Sequence, residues 1–208
     1  RKIFLDQQDY GVFLGYLKEY LLPKDEKNLS ERLASEDLVP QERDKLYKLL
    51  HMNNFSDEIK LLAYCLMPNH FHFFIKQKSA NSIDKFMNSL GTRYTMYFNK
   101  KYDRVGSLYQ GVYKAVTVTT ESQFIYLSKY IHKQALVIQG EALHEMQPSS
   151  YKDYLGEKNT EWVYPSEILS YFSEVNPKFS YASFIQEGSD DKEATIVNEL
   201  ALEEDDQP

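Results

Sequence analysis

The sequence predicts an α+β fold in which helices cover one face of an antiparallel sheet, and three observations carry that prediction. An apolar run from Ile59 to Met67 meets an alternating run from His70 to Lys76 across a Pro68-Asn69 break, which describes two strands and a tight turn. Stretches on either side repeat apolar residues every three or four positions, the period of a helix with one buried face. A β-branched run, Val112 to Thr119, separates the last two of these stretches and predicts a further strand.

In chain order, residues 6–21 place Tyr10, Phe13, Leu14, Leu17 and Leu21 on one face, with Asp6 as the N-cap. Leu22 to Glu58 is highly charged and carries Pro23 and Pro40, so it reads as a surface excursion with a short helix at Glu42 to Leu50. After the two strands, Asn81 to Lys101 stripes Ile83, Phe86, Met87, Leu90, Tyr94, Tyr97 and Phe98 along a helix. Gly91 in its middle costs about 1 kcal/mol relative to Ala, which a close contact there would explain. Val105 to Gly111 reads as a loop, and Glu121 to Ile138 returns to helical spacing through Leu127, Tyr130, Ile131, Gln134 and Ile138. The order helix, strand, strand, helix, strand, helix is that of an α+β plait. Beyond it, Gln139 to Phe184 is mixed and aromatic, with a short helix expected at Pro165 to Phe172.

The chain has 208 residues, 42% of them hydrophobic, enough to bury a substantial core. The expected organisation is a main domain over 1–155 with 22–58 as its excursion, an appendage over 156–186 and an acidic tail over 187–208. The longest apolar run, LLAYCLM, falls short of the roughly 18 residues a membrane span needs, and no signal-peptide pattern is present, so a cytoplasmic protein is expected. Cys65, the single cysteine, lies inside that run and reads as a buried hydrophobe. The net charge of −7 argues against nucleic acid as a partner only until it is divided by position. Residues 187–208 hold nine acids against one base, while Lys76 to Lys133 holds ten bases against three acids among tyrosines and phenylalanines. Cations that neutralise phosphates and rings that stack on bases suit single-stranded nucleic acid; a solvated helix face has the same composition.

The sharpest chemical signal is MPNHFHFF, Met67 to Phe74. Residues two apart on a strand share a face, so His70 and His72 present two imidazoles together while Phe71 and Phe73 turn away. Such a pair can hold one divalent ion if a third donor joins it, or it can be two histidines on a sheet face. Tyr130 and Gln134, one turn apart on the last predicted helix, could bring a phenol and an amide oxygen over the sheet. A core-edge role for Tyr130 is the alternative.

The segments LLAYCLMPNHFHFFIKQ, FMNSLGTRYTMYFNKKYDRVGSLYQGVYKAVTV and FIYLSKYIHKQALV together resemble the single-tyrosine HUH transposases of bacterial insertion sequences, close to the REP-associated tyrosine transposases. The resemblance runs from Arg1 to about Phe184 and implies a ferredoxin-like, RRM-like plait of the HUH endonuclease type, whose first strand is expected before Arg1. It assigns the His-hydrophobic-His motif to His70, Phe71 and His72, the nucleophile to Tyr130 and the third metal ligand to Gln134. Val112 stands where many relatives carry Arg, and Pro148 where an aromatic residue commonly precedes Ser149-Ser150-Tyr151.

The activity so implied is cleavage and rejoining of single-stranded or hairpin DNA through a 5′-phosphotyrosine, with Mg²⁺ or Mn²⁺ as the ion. Because a phenol ordinarily titrates near pH 10, its deprotonation would need the metal or a bound water. No Walker-type phosphate loop occurs, so no nucleotide cofactor is expected. Arg93, Lys100, Lys101, Arg104 and Lys114 are the candidate DNA contacts, and a homodimer is a possible arrangement. A domesticated relative that binds structured single strands without cutting them, and a phosphodiesterase that uses water in place of Tyr130, are the rival readings.

Overall fold

A computed structural model describes residues 1–139, 142–187 and 195; apart from Glu187 and Thr195, the acidic tail lies outside the described residues. The first helix, α1 (Gln7–Leu21), begins where Asp6 accepts from the Asp9 amide while the Asp9 carboxylate accepts from the Asp6 amide, a reciprocal capping box. The charged excursion contains two helices, α2 (Glu26–Leu33), which periodicity does not reveal, and α3 (Pro40–His51), whose proline occupies the first turn.

Strands β1 (Ile59–Met67) and β2 (His70–Gln77) pair antiparallel, with Tyr64 opposite Phe73 and Cys65 opposite His72, and a bulge between Leu61 and Ala63. The outer edge of β1 is covered by the chain returning at Ser149 and Val163. Helix α4 (Ser82–Lys101) starts from Asn81, which takes a left-handed conformation at φ 66°. Helix α5 (Glu121–Ala135) starts at a second capping box, Thr120 with Gln123. Then follow a small hairpin, β3 (Leu136–Gln139) with β4 (Ala142–Glu145), and the short helices α6 (Tyr151–Tyr154), α7 (Ser166–Leu169) and α8 (Tyr181–Gln186).

Alternation along β2 divides the core. Phe71 and Phe73 meet Phe13 of α1, with ring centroids 5.2 and 6.2 Å away, and Phe73 also meets Phe86 of α4. His72 and Phe74 point the other way and meet Tyr130 and Phe124 of α5 at 5.6 and 5.2 Å. One cluster therefore joins α1, α4 and one sheet face, and a second joins α5, α6, α7 and α8 to the other.

Three expectations are corrected here. Helices lie on both faces of the sheet, because β1 is apolar at every position from Leu61 to Leu66 and buries both of its sides. Residues 112–119 form no strand; Val112 is 93% exposed, and β propensity without a neighbouring strand makes no ladder. Helix α5 stops at Ala135, three residues early, because Leu136 turns extended and its run pairs with β4.

Candidate functional site

The turn at Pro68-Asn69 is held from outside by the N-terminal segment, whose Ile3 and Phe4 amides both donate to the Pro68 carbonyl, at 2.8 and 3.1 Å. Directly after it, β2 presents His70 and His72 on the α5 side. Their Nε2 atoms lie 3.0 Å apart. The Asn69 Oδ1 is 2.9 Å from His70 Nδ1, so it accepts the proton there and leaves His70 Nε2 with its lone pair facing His72. Burial pushes the His72 pKa down to about 4, with the neighbouring His70 ring adding to the effect, and desolvation lowers His70 as well. Both rings are therefore neutral at neutral pH, the form in which imidazole is a ligand.

The pair fits a divalent ion. Two nitrogens each about 2.1 Å from one ion and at right angles around it sit about 3.0 Å apart, the separation found here. Among the described residues no group of three or more His, Cys, Asp or Glu side chains could hold a metal, so a third donor drawn from them would be of another type. The Tyr130 ring stands edge-on to His72 at 5.6 Å, and Gln134 follows one turn later on α5, half-buried. The fold thus brings His70, His72 and Tyr130 together and sets the Gln134 amide on the adjoining turn. Cys65, across the strand pair from His72, has its thiol pushed up to about 12 by burial and stays a neutral packing group.

The five candidate DNA contacts divide. Arg93 is engaged within the chain, with its guanidinium 3.8 Å above the Tyr16 ring and 2.5 Å from the Glu19 carboxylate. Lys101 bonds Asp6 and Asp9 at 2.7 and 2.8 Å. Arg104 lies over the Phe98 ring at 5.6 Å and reaches Asn99 Oδ1 at 3.4 Å. Lys100 and Lys114 are exposed.

One residue at the site and one buried behind it escaped sequence reasoning. Asn69 was legible only as a turn former, although its place beside His70 was the available signal. His132, fully buried, joins Ser150 and Tyr181, partners 18 and 49 residues away that no local pattern could pair with it.

Among the described residues no helix is long and apolar enough to cross a membrane. Searches of curated proteins and of solved structures gave no match. The family model described as "Transposase IS200 like" matches residues 36–134. That stretch runs from just before α3 through both histidines to Gln134, and over it the chain is similar to the IS200-like transposases.

Proposed function

We propose that this protein cuts and rejoins single-stranded DNA as a tyrosine transposase of the HUH type, on a plait-like core. The observation that carries the reading is the convergence of two neutral imidazoles, Nε2 to Nε2 3.0 Å, with the Tyr130 ring beside His72. Tyr130 Oη gives up its proton to a bound water and attacks the scissile phosphorus. The bond to the 3′ oxygen breaks, a phosphotyrosine forms on the 5′ side, and the 3′ oxygen leaves as a hydroxyl after taking up a proton. A second 3′-hydroxyl reverses the step and joins a different strand. One phosphodiester replaces another, so no nucleotide need be hydrolysed.

His70, His72 and Gln134 would hold a Mg²⁺ or Mn²⁺ ion, which when bound polarises a non-bridging phosphate oxygen and orients the phosphate for in-line attack. Asn69 fixes the proton of His70 on Nδ1. The exposed Lys100 suits a phosphate flanking the cut, while Arg93 and Lys101, held in internal ion pairs, serve the fold.

The test is incubation of the protein with labelled single strands from its own genomic flanks, with and without Mn²⁺. A protein–DNA adduct that needs both the ion and Tyr130 is expected, and adducts formed by Tyr130→Phe would sink the reading. Cleavage with no protein attached would point to water as the nucleophile. Binding that survives His70→Ala with no cleavage at all would mark a non-cleaving binder.

A further inference from the structure

Behind the site, on the sheltered side of α5, a chain of five hydrogen bonds runs in one direction through six groups. The Tyr64 amide of β1 donates to Ser150 Oγ at 2.9 Å, and Ser150 Oγ lies 2.8 Å from His132 Nε2. His132 Nδ1 is 2.6 Å from Tyr181 Oη, Tyr181 donates to Ser128 Oγ at 3.2 Å, and Ser128 donates to the Ile125 carbonyl at 2.7 Å. Each hydroxyl accepts once and donates once when His132 carries its proton on Nδ1, so the relay has a consistent arrangement with no member unsatisfied. His132, Ser150 and Ser128 are all fully buried.

The relay ties α5 at two successive turns, Ser128 and His132, to two separate anchors. One is the backbone of β1 at Tyr64, whose neighbour Cys65 pairs with His72. The other is α8, which also lays the Phe184 ring 4.6 Å from Lys129 Nζ. At 100° per residue, Tyr130 and His132 project from nearly opposite sides of the helix. Any roll of α5 that lengthens the bond from His132 to Ser150 therefore swings Tyr130 through the same angle relative to His72. Packing of Leu127 and Ile131 on the sheet, being apolar and non-directional, resists such a roll less sharply than a string of short hydrogen bonds.

We infer that His132, with Ser150, Tyr181 and Ser128, is a positioning device for the Tyr130 hydroxyl: the relay sets the roll of α5, and through it the approach of the nucleophile to the histidine pair. Ser150 and Tyr181 lie beyond the family-matched stretch, so the C-terminal part of this chain completes its site. The inference rests on Tyr130 being the nucleophile.

Tyr181→Phe removes one oxygen from the relay and keeps the ring. The control is Tyr154→Phe, which removes an equally buried hydroxyl in the same cluster that serves the Leu62 carbonyl instead. Two readouts are taken on each folded variant: the NMR cross-relaxation between the His72 and Tyr130 rings, and the single-turnover rate of covalent adduct formation at saturating single-stranded DNA. The expected result for Tyr181→Phe is a ring–ring signal at least halved, an adduct rate at least tenfold lower and a DNA affinity within twofold of wild type. Tyr154→Phe should match wild type within twofold on all three. An unchanged ring–ring signal in Tyr181→Phe, or an equal loss in Tyr154→Phe, overturns the positioning role. A wild-type protein that forms no adduct, yet loses the ring contact only in Tyr181→Phe, would retire the nucleophile and leave the positioning intact.

Discussion

Asn69 and His70 act as one unit, because the side-chain oxygen of Asn69 determines which nitrogen of His70 carries the proton. Residues that hold a ligand's second nitrogen typically change metal affinity by about 10–100-fold when removed. Asn69→Ala should therefore weaken Mn²⁺ binding by about that factor, measured by titration calorimetry, with the circular dichroism spectrum unchanged. The histidine pair itself was legible in the sequence, since a strand's two-residue period places His70 and His72 on one face wherever the strand lies. The roles of Arg93 and Lys101 were not. A cation's availability depends on carboxylates that approach from elsewhere, Glu19 in one case and Asp6 with Asp9 in the other.

At the level of elements, α1 and α4 are joined through one buried carboxylate. Asp9, fully buried, accepts from Lys101 at 2.8 Å, Tyr97 at 3.0 Å, Tyr102 at 2.8 Å and the Leu5 amide at 2.7 Å. Burial alone would raise its pKa, but these donors outweigh burial and hold it below the ordinary 3.8. A carboxyl with a lowered folded pKa stabilises fully above the unfolded value and loses that contribution as pH falls through the folded one. Asp9→Asn should cost on the order of 3 kcal/mol at pH 7, and its deficit in thermal melts should shrink once the pH drops below about 4. Gly91 behaves otherwise than its sequence context suggested. A Cβ there would meet the Tyr109 ring at 3.6 Å, an ordinary contact, so no clash excludes a side chain. Gly91→Ala should raise stability by about 0.5–1 kcal/mol in chemical denaturation. Periodicity, with the Asp6 cap for α1, made α1, α4 and the start of α5 readable. The end of α5 was not, because Leu136 to Gln139 keeps apolar spacing while pairing with β4.

For the whole molecule, the proposed mechanism turns on which copy's histidines Tyr130 would serve. The helix packs on its own strands, with Tyr130 against His72 of the same chain, and α8 covers its other side. Mixing Tyr130→Phe with His72→Ala should accordingly give no covalent DNA adduct in a gel assay; recovered adduct would show helices exchanging between copies. The features legible from residue order are local: the paired strands, the histidines on one face, the amphipathic helices, and the gathering of cations between Lys76 and Lys133. All of these follow from spacing along a single element or from simple counting. Long-range packing sandwiches the sheet between α1 and α4 on one side and α5 on the other, and engages Arg93 and Lys101 with internal carboxylates. It also joined His132 to Ser150 and Tyr181. Those outcomes depend on contacts between residues dozens of positions apart, and a hydrogen bond or ion pair leaves no periodic trace in the chain that makes it.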